Sequence, residues 1–417
     1  MLAAVYIAGA AGLFANLLTS RGNATEPTSL TFLALWSVML CLPIMRLPSL
    51  LILRRSGAVP ILLMGLIGYL LLSSIWSTDP IKALTYSGVV AMNFLFATSL
   101  VGTLGAAGAI RLAGYVTIWL TIAGLALGLL SVPTAVYLDV HDRQNFLGIS
   151  PLRGLSNHKI TAAIYASYGA LASLTLLRKW RWPAFSACVA MVVMAGSSTG
   201  LMALSVCLIF FCAFSITPAR PTVRWGITAA TVTSLMIGAT IGSSFLFQAL
   251  GRDPTLTGRT VLWEIGLRVW AERPFVGWGY VGFMDSARLR DFLNDYRSMA
   301  NYDAPHFHSS YIQLLVEGGV PLLLGYLTLG LATLAQAFRF SIERPREGAF
   351  IAITITSILL LNFVSNTALR YNDFSSLFLM ITVIALAEAN RRSAVKEKAP
   401  GSQLGQQRLI ARAEGPA

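Results

Sequence analysis

Apolar segments follow one another along most of the chain, each close to the length of a helix that crosses a bilayer. A spanning helix needs about 20 mostly apolar residues, and about twelve segments approach or meet this length. We therefore predict an all-α integral membrane protein with about twelve transmembrane helices. The predicted segments are 2–19, 28–46, 58–76, 82–102, 108–131, 159–177, 183–196, 199–216, 225–248, 320–338, 348–368 and 373–390, and the seventh and eighth are short enough to form a broken pair.

One long polar stretch, from about Leu250 to Phe307, interrupts this pattern. Long loops in compact proteins are more often functional than incidental, so we expect any chemistry to lie here. The predicted organisation is transmembrane helices 1–9 in residues 1–249, a catalytic loop in 250–319, helices 10–12 in 320–390, and a tail in 391–417 that we expect to be disordered.

The loop itself contains patterns typical of short amphipathic helices. Apolar residues at helical spacing predict one helix from about 258 to 272 and a second from about 286 to 299, both too polar to span a bilayer. A third short helix is predicted over 310–317, with Ser309 as its cap and with Gly318 and Gly319 at its end.

The distribution of charge gives a predicted orientation. The chain is 55% hydrophobic and 12% charged, with a mean hydropathy of +0.67 and a net charge of +13. In a soluble protein this charge would indicate nucleic acid, but here Lys and Arg are concentrated in alternate connectors, which is typical of cytoplasmic loops. We therefore expect an inner-membrane protein of a Gram-negative cell with cytoplasmic termini, a periplasmic long loop, contact with membrane lipid and no nucleic-acid partner.

All four histidines, which are His141, His158, His306 and His308, fall on the predicted outer side. A structural or interfacial role explains any one of them equally well. His306 and His308 are the stronger candidates because they lie where the loop meets a predicted helix N-terminus. Such an end offers free backbone N–H groups and a partial positive charge, which suit an anion.

Arg259 has two interpretations. It can extend from the surface towards lipid phosphates, which its spacing alone favours, or its guanidinium can hold a diphosphate. The four cysteines lie in apolar segments without metal-binding spacing, so neither a metal nor a cofactor is expected. Charged residues are scarce within the apolar segments, which argues against an ion-coupled transporter but leaves a lipid flippase open.

Three stretches, residues 256–264, 271–280 and 308–321, resemble the large loop of the O-antigen ligase and O-antigen polymerase superfamily, with exopolysaccharide polymerases the most similar. The resemblance implies that His308 and Arg259 are catalytic, with Arg259 gripping a donor diphosphate. Two positions depart from the family pattern: Ser309 replaces a frequent Asn, and Ser198 replaces a frequent Arg or Lys. The candidates for a second diphosphate-binding group are Arg153, Arg143, Arg273 and Ser309, and His306 and Glu317 complete the set of candidate site residues.

The resemblance implies a metal-independent membrane glycosyltransferase. Its donor would be an undecaprenyl-diphosphate-linked oligosaccharide and its acceptor a sugar hydroxyl at the periplasmic face, in the synthesis of exopolysaccharide or O-antigen. One alternative is an O-antigen ligase that joins glycan to lipid A-core. A different class of alternative is a transporter or flippase for lipid-linked sugars, and a third is a scaffold for other polysaccharide-assembly proteins.

Overall fold

The computed structural model describes residues 2–10, 57–137, 148–217, 220–234, 259–286, 289, 291 and 306–398. The regular elements within these ranges are helices, and β-structure in them is limited to one isolated bridge, between Val136 and Leu152. The all-α prediction is thus confirmed. Five helices of the described ranges are long and apolar enough to cross a membrane, whereas the predicted number of twelve stays a prediction.

Most of the helices coincide with predicted segments, but the last one continues to Lys398, into the tail from residue 391 that we expected to be disordered. In chain order they are α1 Leu2–Ala10, α2 Ala58–Leu72, α3 Pro80–Leu129, α4 Lys159–Leu176, α5 Arg181–Ala195, α6 Ser198–Ile216, α7 221–234, α8 Arg259–Glu272, α9 Ser310–Glu343, α10 Pro345–Leu361 and α11 Phe374–Lys398. The predicted segment 28–46 lies outside the described residues, as do most of the predicted helix 286–299, His141 and Arg143.

Two of these helices are broken by a glycine in the left-handed region. In α3 the break is Gly105, with a φ of 69°, and it separates the predicted segments 82–102 and 108–131. In α9 the break is Gly319, with a φ of 67°, and it separates the predicted short helix from the predicted span. Glycine adopts this conformation without steric cost, so the sequence pattern located both breaks correctly.

One predicted boundary is wrong in a way that matters for the site. The segment 348–368 was expected to be helical throughout, but α10 ends at Leu361. Residues 362–373 form a connector instead, in which the buried side chain of Asn362 accepts hydrogen bonds from Ser310 and Thr367. In this connector these side-chain hydrogen bonds take the place of the backbone hydrogen bonds of a helix.

The connectors alternate between two ends of the helical assembly. At one end, the backbone N–H of Tyr280 donates to Ser73 and its hydroxyl donates to the carbonyl of Leu369, at 3.0 and 2.6 Å. At the other end, Arg111 and Glu347 form an ion pair of 2.8 Å. The described members of the two predicted sets of connectors therefore lie at opposite ends, and their orientation in the membrane stays a prediction.

Candidate active site

The start of α9 is bound to the connector that follows α10. Ser309 occupies the N-cap position as predicted, but its side chain does not cap the helix, which corrects that prediction. Its hydroxyl donates to the Asn362 carbonyl at 3.4 Å. The backbone N–H of Ser310 donates to the carbonyls of Asn362 and Ser365 at 2.8 and 2.9 Å. This N–H group is therefore committed to protein rather than free for an anion.

A glycine-rich turn packs against the break in α9. The N–H groups of Trp278 and Gly279 donate to the carbonyls of Val316 and Glu317, at 2.8 and 3.0 Å. Gly277 has a φ of +65°, and a Cβ there would lie 2.5 Å from the carbonyl carbon of Glu317. Only glycine permits both this conformation and this approach of two backbones. Residues 277–279 thereby fix the loop on α9.

Helix α8 packs against the start of α9 and the residues just before it. It confirms the first predicted loop helix. Its buried face joins Phe307 in one cluster, and the indole N–H of Trp263 donates to the Phe307 carbonyl at 3.1 Å. This packing brings Arg259, the first residue of α8, to the connector after α10, where its Nη1 donates to the Val364 carbonyl at 3.0 Å. The buried residues of this face are Leu262, Ile265, Gly266 and Val269.

His306 and His308 form a pair immediately before α9. Their ring centroids are 4.3 Å apart, nearly edge to face. The backbone N–H of His308 donates to Nδ1 of His306 at 3.1 Å, so a neutral His306 carries its proton on Nε2. His308 has a φ of 52°, a conformation in which histidine is more frequent than most residues. The pair is thus held by local backbone geometry.

The surroundings keep both imidazoles neutral. Burial first, and then the positive charge of Arg259, lowers the pKa of His308 to about 4. The pKa of His306 is lowered well below its usual value by burial first, and then by the neighbouring charges. A neutral imidazole next to cationic groups can accept a proton at neutral pH, while the same cations attract an anion.

An ion pair that sequence reasoning did not identify lies close to His306. Nη2 of Arg370 lies 3.0 Å from Oε1 of Glu317, and both residues are buried. Oε1 also accepts from Gln313 Nε2 at 2.9 Å and from the N–H of Val281 at 3.2 Å. The positive charge of Arg370 contributes to the lowered pKa of His306. Glu317 is among the candidates predicted from the sequence, whereas Arg370 is not.

The remaining candidates are placed as follows. His158 caps α4, since its Nδ1 accepts from the Ile160 N–H at 3.1 Å, and it interacts electrostatically with His308. Sequence reasoning did not single out this interaction. Nε of Arg153 donates to the Thr134 carbonyl at 2.9 Å. The guanidinium of Arg273 lies 4.0 Å from the centre of the Trp278 ring. The groups brought together are therefore His158, His306, His308, Arg259 and Arg370.

Comparisons with known proteins support the same class. Residues 183–327 match the family model described as O-antigen ligase. This range contains Arg259, both loop histidines and Glu317, so the resemblance seen in the loop motifs is confirmed over this part of the chain.

A particular relative is the exopolysaccharide production protein ExoQ of Rhizobium meliloti (strain 1021), which is 31% identical over 161 residues. The alignment covers 37% of this chain and 36% of that relative. Each comparison covers only part of the chain, and together with the apolar helices they support a multi-pass membrane protein that is similar to O-antigen ligases over that part.

Proposed function

We propose that this protein is a membrane glycosyltransferase that moves a glycan from an undecaprenyl-diphosphate carrier to a sugar hydroxyl, in the polymerisation of exopolysaccharide or O-antigen. The observation that carries the proposal is the position of His308 at the start of α9, where burial first and then the charge of Arg259 lower the pKa of its imidazole. A base and a cation side by side are what the transfer of a diphosphate-linked sugar requires.

The proposed step balances without a cofactor. The acceptor hydroxyl oxygen attacks the anomeric carbon, and its proton passes to the ring of His308. The bond between the anomeric carbon and the diphosphate oxygen breaks, and the undecaprenyl diphosphate leaves with the electron pair. Arg259 stabilises the negative charge that develops on the diphosphate. Because a diphosphate is already a good leaving group, the step needs no general acid.

Arg370 and Glu317 act in this proposal as positioning residues. Their ion pair holds the turn at Val281 against α9 through the N–H that Glu317 accepts. Since the pair is close to neutral as a whole, it fixes the site more than it attracts the diphosphate. Arg153, Arg143 and Arg273 remain the proposed sources of a second cation.

Two acceptors are compatible with the comparisons. The similarity to an exopolysaccharide production protein favours extension of a glycan chain, and the family description favours ligation to lipid A-core. We place the protein in the inner membrane, with both termini cytoplasmic and the site at the periplasmic face, in contact with membrane lipid and other polysaccharide-assembly proteins.

Purified protein in lipid nanodiscs, given a synthetic undecaprenyl-diphosphate oligosaccharide with and without lipid A-core, tests the proposal. A polymerase extends the oligosaccharide, whereas a ligase transfers it only when lipid A-core is present. Arg259→Gln should abolish either product. Arg268→Gln is the matched control, because Arg268 lies on the same helix, is 68% exposed and pairs only with Glu264 in the described structure. Movement of the lipid across vesicles without a new linkage would instead indicate a flippase.

A further inference from the structure

A cavity lined by several arginines lies at the end of the assembly opposite the histidines. Its volume is about 340 Å³. It is bordered by the C-terminal ends of α4 and α6 and by the N-terminal ends of α5, α7 and α10. Four arginines line it, and nothing in the proposed reaction uses them. They are Arg178, Arg181, Arg224 and Arg346.

Two of these arginines have buried side-chain nitrogens that lack a hydrogen-bond partner within the described structure. Arg224 is only 4% exposed, and its Nε and Nη1 have no hydrogen-bond partner within the described structure. Nε of Arg181 is likewise buried and unpartnered there. A buried guanidinium that lacks hydrogen bonds costs free energy unless something satisfies it. These guanidinium N–H groups are therefore available to donate hydrogen bonds to a ligand in the cavity.

The electrostatic environment of the cavity selects an anion. None of the described residues that line it is acidic. The acidic residue next to Arg346 in the chain is Glu347, which pairs with Arg111 at 2.8 Å. The positive charges of the cavity therefore have no counter-charge from its own wall. Phosphate oxygens suit several guanidinium donors at once.

Most of the other lining residues are apolar, and exposed tryptophans lie nearby. Phe211 and Phe214 line the cavity, and the guanidinium carbon of Arg224 lies 4.8 Å from the centre of the Phe214 ring. Trp180 and Trp182, at the start of α5, are 64% and 58% exposed. Exposed tryptophans with nearby basic residues are typical of the level of lipid headgroups. A ligand with a phosphate head and apolar chains matches this combination.

From these observations we propose that the cavity binds the phosphate-bearing headgroup of an anionic phospholipid. Basic pockets between transmembrane helices bind such headgroups in other membrane proteins. The lipid would link α4, α6, α7 and α10 at one end of the bundle, and its acyl chains would lie along the aromatic wall. This site is separate from the proposed diphosphate site.

The test is lipid-dependent thermal stability of the detergent-purified full-length chain. Phosphatidylglycerol added in mixed micelles should raise the melting temperature saturably, and phosphatidylcholine should raise it less. In Arg181→Gln and Arg224→Gln the apparent affinity for phosphatidylglycerol should fall about tenfold or more. Arg339→Gln is the matched control, because Arg339 is exposed at the same end and does not line the cavity.

Three outcomes would overturn the proposal. The first is an equal response to the two lipids. The second is an unchanged affinity in Arg181→Gln, which serves as the second variant because replacement of the buried Arg224 can also affect folding. The third is inorganic phosphate giving the same saturable stabilisation and displacing phosphatidylglycerol, which would identify a site for a soluble anion rather than a lipid.

Discussion

The carboxylate of Glu317 and the guanidinium of Arg370 form a buried ion pair, with 3.0 Å between Oε1 and Nη2. Each residue has further partners, since Oε1 also accepts from Gln313 and Val281 while Nε of Arg370 donates to Asn366. The pair therefore joins α9, the turn before it and the connector after α10. Removal of either charge leaves the other buried and uncompensated.

We expect Glu317→Gln alone to destabilise the protein by about 3–5 kcal/mol, because the charge of Arg370 then remains buried without its counter-ion. The double variant Glu317→Gln/Arg370→Gln should be less destabilised than the sum of the two single variants. Chemical denaturation in detergent measures all four proteins of the cycle. Additive losses would show that the two charges are not energetically coupled.

The glycine turn gives a second prediction. Gly277→Ala should release the turn from α9, because the new Cβ would collide with the backbone at Glu317 and the φ of +65° disfavours an L side chain. Limited proteolysis should then cut near residues 277–286 at a protease concentration that leaves the parent intact. Gly68→Ala is the control, since a Cβ there meets no atom within 4 Å. Equal cleavage of both variants would contradict this account of the turn.

Elements that depend on nearby residues were predictable from sequence. The break at Gly319, the short helix before it and α8 all follow from local periodicity and glycine positions. The pairing of Glu317 with Arg370 spans 53 positions, and no linear pattern encodes it. The effect of His158 on His308 likewise depends on the packing of α4, because the two residues lie in different connectors.

Ser309 shows the opposite case, in which a local rule was overridden. A serine before a helix normally accepts from a backbone N–H of the first turn. Here its hydroxyl and the N–H of Ser310 both turn towards the Asn362 carbonyl. The connector after α10 is buried, so its backbone carbonyls need hydrogen-bond donors from the protein, and Ser309 and Ser310 supply them. The predicted helix end at residue 368 failed for the same reason, since residues 362–368 serve this network rather than a helix.

His308→Asn separates catalysis from backbone geometry. Asparagine tolerates the φ of 52° that His308 adopts, so the fold should persist. Loss of the base should lower the turnover of the lipid-linked donor by about 10²–10⁴-fold. Glycan product length and the melting temperature should be measured on the same preparation. An active His308→Asn variant would exclude His308 as the base, whereas a large loss of stability would point to a structural role.

The pH dependence of the reaction gives the last prediction. In the free protein the pKa of His308 is lowered to about 4, so kcat/KM should decline only as the pH approaches that value. A bound diphosphate places negative charge beside the imidazole, which favours the protonated form and raises its pKa. The acidic limb of kcat should therefore lie at a higher pH than that of kcat/KM.

The variant Arg259→Gln removes one of the charges that lower the pKa of His308. If it retains measurable turnover, its kcat/KM limb should move to higher pH, whereas Arg268→Gln, which alters an exposed ion pair on the same helix, should leave the limb in place. The sign is fixed because loss of a nearby positive charge favours protonation of the imidazole. A shift to lower pH, or equal shifts in the two variants, would show that Arg259 does not act electrostatically on His308.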